Sequence, residues 1–349
     1  MTMIAVTTTA GGASSALDDI SRRILEGSRA QGNLCAVVLA GGVGGARLSL
    51  ALCTALDPSD VTVVVNVGDD EEVYGVQVSA DLDTVVYTLA GIEGPEGWGR
   101  RADTWHVMGE LAALGVDTTF RLGDRDLGFC LARTGRLARG DPLSVVVAAA
   151  ARALGVGATV LPATDDTVRT KVRTVSGDWL DFQDYFVHRR HAVEVAEVEY
   201  RGAIDAAPAP GVLDAIAAAD VVVIAPSNPP LSIWPILAVP GIRRAVAGAS
   251  TVVAVSPLFG GTALKGPAHT VMASLGLPPG NAGVAAAYEG LLTHLVVDEG
   301  DAADVGDLSG GKLRVVAMDT HMTDEPSGRR FGDAFVRWLA AEAPPRPVP

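Results

Sequence analysis

The sequence predicts an α/β fold of the Rossmann-like, doubly wound kind: a mostly parallel sheet with a mainly helical insertion covering its carboxyl edge. Three observations predict it. Strand-like and helix-like segments alternate along the 349 residues, as a parallel sheet connected by helices requires. Runs such as Val61-Thr62-Val63-Val64-Val65 are apolar on both faces, the pattern of strands buried between helical layers. The first such run, Val37-Val38-Leu39-Ala40, feeds into Gly41-Gly42-Val43-Gly44-Gly45-Ala46-Arg47, a strand-to-helix turn that lets backbone approach a ligand closely.

The elements follow in order. Strands are predicted over residues 35–40, 61–67, 221–225, 251–255, 292–296 and 313–317, aliphatic and β-branched runs bounded by turn residues. Helices are predicted over 46–55, 83–90, 104–114, 126–138, 142–154, 211–219, 282–291 and 328–341. Between 95 and 201 the pattern is mainly helical, with alternating segments at 168–175 and 193–201; this stretch reads as the insertion. The Rossmann-like core is then 33–94 and 202–342, with Pro208-Ala209-Pro210 marking the return to it. Residues 1–32 lack the basic start and apolar block of a secretory signal and read as an extension outside the fold. The tail over 343–349, with four prolines, reads as loose.

Composition narrows the function. Hydrophobic residues make up 48% and charged residues 19%, the balance of a folded protein with a full core. A net charge of −14 argues against a nucleic-acid partner. An acidic chain that binds a nucleotide needs local help from backbone N–H groups, a few arginines and a divalent cation. Cys35, Cys53 and Cys130 form no C-x-x-C pair, which argues against structural zinc and a disulfide framework and suits a reducing cytoplasm. No uncharged run of eighteen apolar residues is present, so no membrane span is expected.

The glycine turn points to a phosphate or pyrophosphate, because the following helix aims free N–H groups and its positive end at the turn. Gly42 and Gly44 follow the dinucleotide fingerprint, but Arg47 stands where its last glycine or alanine belongs. Walker A is excluded, since no Gly-Lys-Ser/Thr follows. The second strand ends in Asn66-Val67-Gly68-Asp69-Asp70-Glu71-Glu72, with no basic residue in the next ten positions. That run is a solvated loop, a ribose ligand through Asp69, or a carboxylate site for Mg²⁺ beside phosphate. In Ser79-Ala80-Asp81-Leu82-Asp83-Thr84, Ser79 or Asp81 suits a helix cap and Asp83 is placed to complete a metal site.

Gly97-Trp98-Gly99-Arg100-Arg101-Ala102-Asp103-Thr104 offers arginine forks for phosphate and a tryptophan face for a flat heterocycle, or merely a helix entry capped by Asp103 or Thr104. Leu122-Gly123-Asp124-Arg125-Asp126-Leu127 is a second capped helix start or a reach into the cleft. Ser227 and Asn228, and the turn Gly260-Gly261-Thr262-Ala263-Leu264-Lys265, complete a set of polar turns expected at one sheet edge.

These motifs, together with Asp103-Thr-Trp-His106, Leu161-Pro-Ala-Thr-Asp-Asp166, Ala225-Pro-Ser-Asn-Pro229 and Met322-Thr-Asp324, resemble the 2-phospho-L-lactate transferase family of coenzyme F-420 biosynthesis, in order from Leu34 to Asp324. Its actinobacterial branch is called phosphoenolpyruvate transferase. The resemblance implies transfer of a substituted phosphate from a guanosine diphospho donor to the ribityl hydroxyl of the deazaflavin Fo, with loss of GMP, with Mg²⁺ as cofactor and in a homodimer. Carried over, Asp69 and Asp70 are the catalytic pair, and Asp69 and Asp83 hold the metal. Asp70, Arg101, Trp98 and Asp103 face Fo. Gly41, Gly42, Val43, Gly44, Gly45, Arg47, Ser227, Asn228 and Lys265 hold the guanosine phosphates. The extension over 1–32 and Ala80, where relatives commonly carry proline, depart from the family pattern. The competing readings are an NAD-dependent dehydrogenase and a nucleotide-sugar-binding regulator of the gluconeogenesis factor type.

Overall fold

A computed structural model describes residues 34–342 with Lys265 excepted; the extension over 1–32, the tail over 343–349 and the Lys265 phosphate contact lie outside the described residues. The chain opens with β1 (Ala36–Ala40), α1 (Gly42–Ala55) and β2 (Val61–Val65). A short hairpin, β3 (Glu71–Val73) and β4 (Val76–Val78), leads into α2 (Ala80–Leu89). Then come α3 (His106–Ala113), α4 (Asp124–Leu137), α5 (Leu143–Ala153) and β5 (Thr159–Pro162). A small antiparallel sheet follows, built from β6 (Arg169–Thr174), β7 (Trp179–Asp181) and β8 (Val195–Arg201). The second half holds α6 (Val212–Ala218), β9 (Val221–Ile224), α7 (Trp234–Ala238), α8 (Ile242–Ala247) and β10 (Val252–Val255). It continues through the two-residue strands β11 (Leu258–Phe259) and β12 (Thr262–Ala263), α9 (Ala268–Ser274) and α10 (Gly280–Ala287). It closes with β13 (His294–Asp298), α11 (Asp304–Leu308), β14 (Arg314–Met318) and α12 (Glu325–Glu342).

Seven of the strands form one parallel sheet in the order β14-β13-β10-β9-β1-β2-β5. From β1 the chain first moves to β2 and β5, then crosses back to β9 and continues outward to β14. The strand order therefore reverses between β1 and β9, and the crevice outside their carboxyl ends is where such sheets bind ligands. β1, β2, β9 and β10 are buried along their whole length, as the unbroken apolar runs predict.

Two differences from the sequence expectation have physical causes. The first helix begins at Gly42, not at residue 46, so the glycine run is its first turn rather than a loop before it. Helix amides at that turn make no intrahelical bonds and need no side chains. Within the stretch read as a helical insertion, β5 is the edge strand of the central sheet. It is four residues long and ends in Pro162, a signal that reads as loop; proline is tolerated there because no strand lies beyond. The same stretch carries the antiparallel β6–β8 sheet, whose alternating burial on β6 matches the alternating sequence pattern. Two small apolar clusters, separate from the main core, hold these parts together: Val76, Val78, Met108, Leu122, Leu127 and Cys130 in one, and Val172, Leu180, Tyr185, Val195, Leu231 and Val271 in the other.

Candidate functional site

Gly41 leaves β1 extended (φ −152°, ψ 144°), and Gly42 takes φ +62°, a conformation that side chains resist. The next two glycines answer to crowding. A Cβ on Gly44 would overlap the Pro226 carbonyl oxygen, and one on Gly45 would lie 2.8 Å from the Ala40 Cβ and 3.1 Å from Ser227 Oγ. Ser227 locks the turn, accepting from the Gly41 N–H at 3.2 Å and donating to the Gly41 carbonyl at 2.7 Å. Gly41 has no side chain to cap α1 and no acid stands in its first turn, so the amides from Val43 onward are left for an anion.

The neighbouring strand supplies acid. The Asn66 N–H donates to the Ala40 carbonyl at 3.0 Å, which fastens the two strand ends together. Asn66 Nδ2 donates to Asp81 Oδ2 at 2.9 Å, and its Oδ1 accepts the Gly68 N–H at 2.8 Å. Asp81 also accepts the Gly42 N–H and shares a hydrogen bond with Asp69, so one carboxylate joins the glycine turn to the acid segment. Asp69 and Asp81 are both buried. Burial first, then the charges of Asp81 and Asp70, holds the Asp69 carboxyl well above the usual range.

Asp70 accepts from Ser79 Oγ at 2.8 Å; burial pushes its carboxyl up to about 7, against the pull of Arg133 and Arg169. Asp83 is ion-paired with Arg133 and raised to about 6, again chiefly by burial. Arg133 Nη1 donates to the Gln77 carbonyl at 3.1 Å, while Thr134 Oγ1 accepts the Gln77 N–H at 2.7 Å. Helix α4 thus grips the N–H and the carbonyl of Gln77 in β4 and the first turn of α2 at once. Oδ1 of Asp69 and Oδ1 of Asp70 are buried without a partner. Of these four buried carboxyl groups only Asp83 is paired with the buried Arg133 guanidinium, which leaves the cluster short of positive charge, and unpartnered carboxylate oxygens are what a hard divalent cation takes up.

The structure brings Gly41 to Gly45, Ser227, Asp69 and Asp70 together at the switch point. Asn228 stands beside them: its Oδ1 accepts the Leu231 N–H at 3.2 Å, and its buried Nδ2 has no partner. Asp83 lies on the same acid cluster with one oxygen committed to Arg133. Trp98 sits on a turn that rests on the glycine helix, since a Cβ at Gly97 would lie 2.8 Å from Val43 Cγ1. Trp98 is 55% exposed. Arg101 lies at the end of that turn, with Nη2 donating to the Gly91 carbonyl at 2.9 Å.

Two assigned side chains are occupied inside the protein. Arg47 makes an ion pair with Glu93 at 2.8 Å. Asp103 caps α4, accepting the N–H groups of Arg125 (2.8 Å) and Asp126 (3.1 Å). Asp124, at the start of α4, in turn accepts the N–H groups of His106 and Val107 at the start of α3. The capping expectation for Asp81 and Ser79 fails for the same kind of reason: α2 begins at Ala80 without a side-chain cap, because both side chains are drawn into the acid network.

Asp81 as a bridge and Arg133 as a clamp are not legible from motif spacing. Arg133 did carry a signal. It falls on the same helical stripe as the buried Leu127 and Cys130, and a cation on an apolar stripe must have a buried partner.

The raised carboxyls make stability depend on pH. Asp70 rises from 3.8 to about 7 and Asp83 from 3.8 to about 6 on folding, so the folded chain holds more protons than the unfolded one between those values. Stability is therefore fullest at low pH within that window and falls as pH rises through it. Asp298 and Asp324, which are shifted down, act only near and below pH 3.8. His294, lowered by burial from 6.5, opposes this only in part, so the unliganded chain is expected to unfold at a higher temperature at pH 5.5 than at pH 8, and Asp70→Asn to narrow the gap. Thermal unfolding followed by circular dichroism checks this; a midpoint that rises with pH contradicts it.

The model of the family described as 2-phospho-L-lactate transferase CofD matches residues 36–328. A protein of Streptomyces griseus named phosphoenolpyruvate transferase is 45% identical over 295 residues, covering 82% of this chain and 93% of that protein. One of the same name from Mycobacterium sp. (strain JLS) is 40% identical over 326 residues, covering 86% of this chain and 97% of its own length. A crystal structure of a Bacillus halodurans protein aligns with a TM-score of 0.53 at 18% identity, covering 86% of this chain and 90% of that one, which is a likeness of fold. No helix among the described residues is long and apolar enough to cross a membrane.

Proposed function

The chain belongs to the 2-phospho-L-lactate transferase CofD family, and from that premise we propose that it transfers a phosphoenolpyruvyl group from a guanosine diphospho donor to the ribityl hydroxyl of the deazaflavin Fo, forming dehydro-F-420-0 and GMP. That the chain is a phosphoenolpyruvate or phospholactate transferase of coenzyme F-420 biosynthesis follows from the family and from relatives named phosphoenolpyruvate transferase at 40–45% identity. Those names favour enolpyruvate over lactate as the acid carried.

One observation carries the reading. Free helix amides and a buried acid cluster converge at the switch point, linked through Asp81. Amides suit a diphosphate; acids suit a hydroxyl to be deprotonated and a cation that offsets phosphate charge. The unpartnered oxygens of Asp69 and Asp70 fit Mg²⁺, with Asp83 adjoining, and when bound it supplies charge neutralisation at the diphosphate. The amides of Val43 to Gly45 align the donor. Asp70 accepts the proton of the attacking ribityl hydroxyl. The new bond joins that oxygen to the phosphorus bearing enolpyruvate, and the bond from that phosphorus to the oxygen of GMP breaks. A loose phosphoryl transition state asks little of a base, so positioning and charge do most of the acceleration.

The test is Fo fluorescence on titration with the protein, followed by mass spectrometry of the product made with enolpyruvyl and lactyl donors and Mg²⁺. Binding of Fo, release of GMP and a product heavier than Fo by the substituted phosphate are expected. An Fo signal that stays flat, or a donor left intact, overturns the reading.

A further inference from the structure

We propose that Thr170 binds the donor, its hydroxyl donating a hydrogen bond to a phosphoryl oxygen held beside Asp69. Thr170 lies on β6, on the inward face it shares with Val172 and Thr174. It is 1% exposed, yet its Oγ1 has no partner. Its N–H donates to the Gly68 carbonyl at 2.7 Å, which docks β6 on the turn that carries Asp69. The hydroxyl occupies the space a side chain at Gly68 would fill, since a Cβ there would overlap Thr170 Oγ1.

The neighbouring oxygens are engaged elsewhere and none accepts it. Asn66 spends Oδ1 on the Gly68 N–H and Nδ2 on Asp81, and the Asp69 carbonyl accepts Gln183 Nε2 at 3.1 Å. A buried hydroxyl left unpaired is a cost that folding alone does not explain, because valine would fill an inward strand position equally well. The unpartnered groups at the crevice sort by chemistry. Asp69 Oδ1 and Asp70 Oδ1 are acceptors, suited to a cation or a hydroxyl. Asn228 Nδ2 is a donor and the Thr170 hydroxyl can act as one, both suited to the oxygens of an anion. Thr170 flanks the carboxyl end of β2, Asn228 that of β9, and the glycine amides lie between them at β1. A diphosphate on those amides is therefore met by a donor from either side.

This inference rests on the transferase reading, and its test separates the two. Guanosine diphosphate with Mg²⁺ is titrated calorimetrically into the unsubstituted chain, Thr170→Val and Thr170→Ser, and each is unfolded thermally without ligand. Thr170→Val is expected to bind about 10- to 100-fold more weakly, the loss of a hydrogen bond to a charged group. Its unfolding midpoint is expected to stay level or rise, because a buried unpaired hydroxyl is removed. Thr170→Ser, which keeps the hydroxyl, is expected to recover most of the affinity.

A merely structural hydroxyl gives the opposite: a lower midpoint with affinity retained. Unchanged affinity in Thr170→Val overturns the assignment, as does a loss confined to Fo binding. Valine-sensitive nucleotide binding in a chain that transfers nothing to Fo upholds it while removing the transferase reading. A chain that binds no guanosine diphosphate removes both.

Discussion

Asp69→Asn is expected to lower transfer to Fo by about 10²- to 10⁴-fold while leaving the folded chain as stable as before or more so. The two effects have one origin. Asp69 is buried against Asp81, next to Asp70, with one oxygen unpartnered. Its charge is costly in the free protein and useful only when a cation or a reacting hydroxyl shares the site. Asparagine relieves the repulsion and can still donate to Asp81, but it cannot carry the negative charge. Asp83→Asn supplies the contrast. That change takes the counter-ion from buried Arg133 but also relieves a carboxylate that burial holds near 6, so stability is expected to fall by less than the about 3–5 kcal/mol of a broken buried pair while activity falls. Turnover and thermal midpoints of both variants decide the matter. Full activity in Asp69→Asn would remove this carboxylate from the chemistry.

Gly44→Ala is the second large effect. The added Cβ would overlap the Pro226 carbonyl oxygen, which is backbone at the end of a central strand and cannot turn aside. Relief requires β1 and β9 to part where the anion site is built. The expected cost is about 3 kcal/mol, at the upper end for overpacking, with an unfolding midpoint lowered by roughly 5 °C or more. Guanosine diphosphate binding should vanish with it. A midpoint and affinity equal to those of the unsubstituted chain would show that the turn has slack the geometry denies.

The sheet was legible because its strands are apolar on both faces and its helices separate them. The switch point could be anticipated because the first turn is rich in glycine and the ninth strand ends in Pro226-Ser227. Short range carried less. The edge strand β5 hides behind a proline, and the first helix hides behind four glycines that no propensity scale would place in one. In the site, the sequence identified the acids but not their bonds. Asp81 reads as a cap by position and is instead a bridge. Asp103 reads as a ligand by its neighbours and is instead a cap for a helix twenty residues on. Such pairings depend on which helix lands beside which, a tertiary fact that local pattern does not encode. Thr170 gave no sign at all, since a threonine in an alternating strand is ordinary until its hydroxyl is found alone.

The reciprocal capping of α3 and α4 has a mechanical result. Each helix lends the other its opening carboxylate, so neither can fray at its start without loosening both. Because α4 also grips Gln77 and Asp83, a disturbance that reaches the outer pair is passed inward to the acids. The outlying helical pair thus works as a single latch, and whatever presses on it bears on the acid cluster.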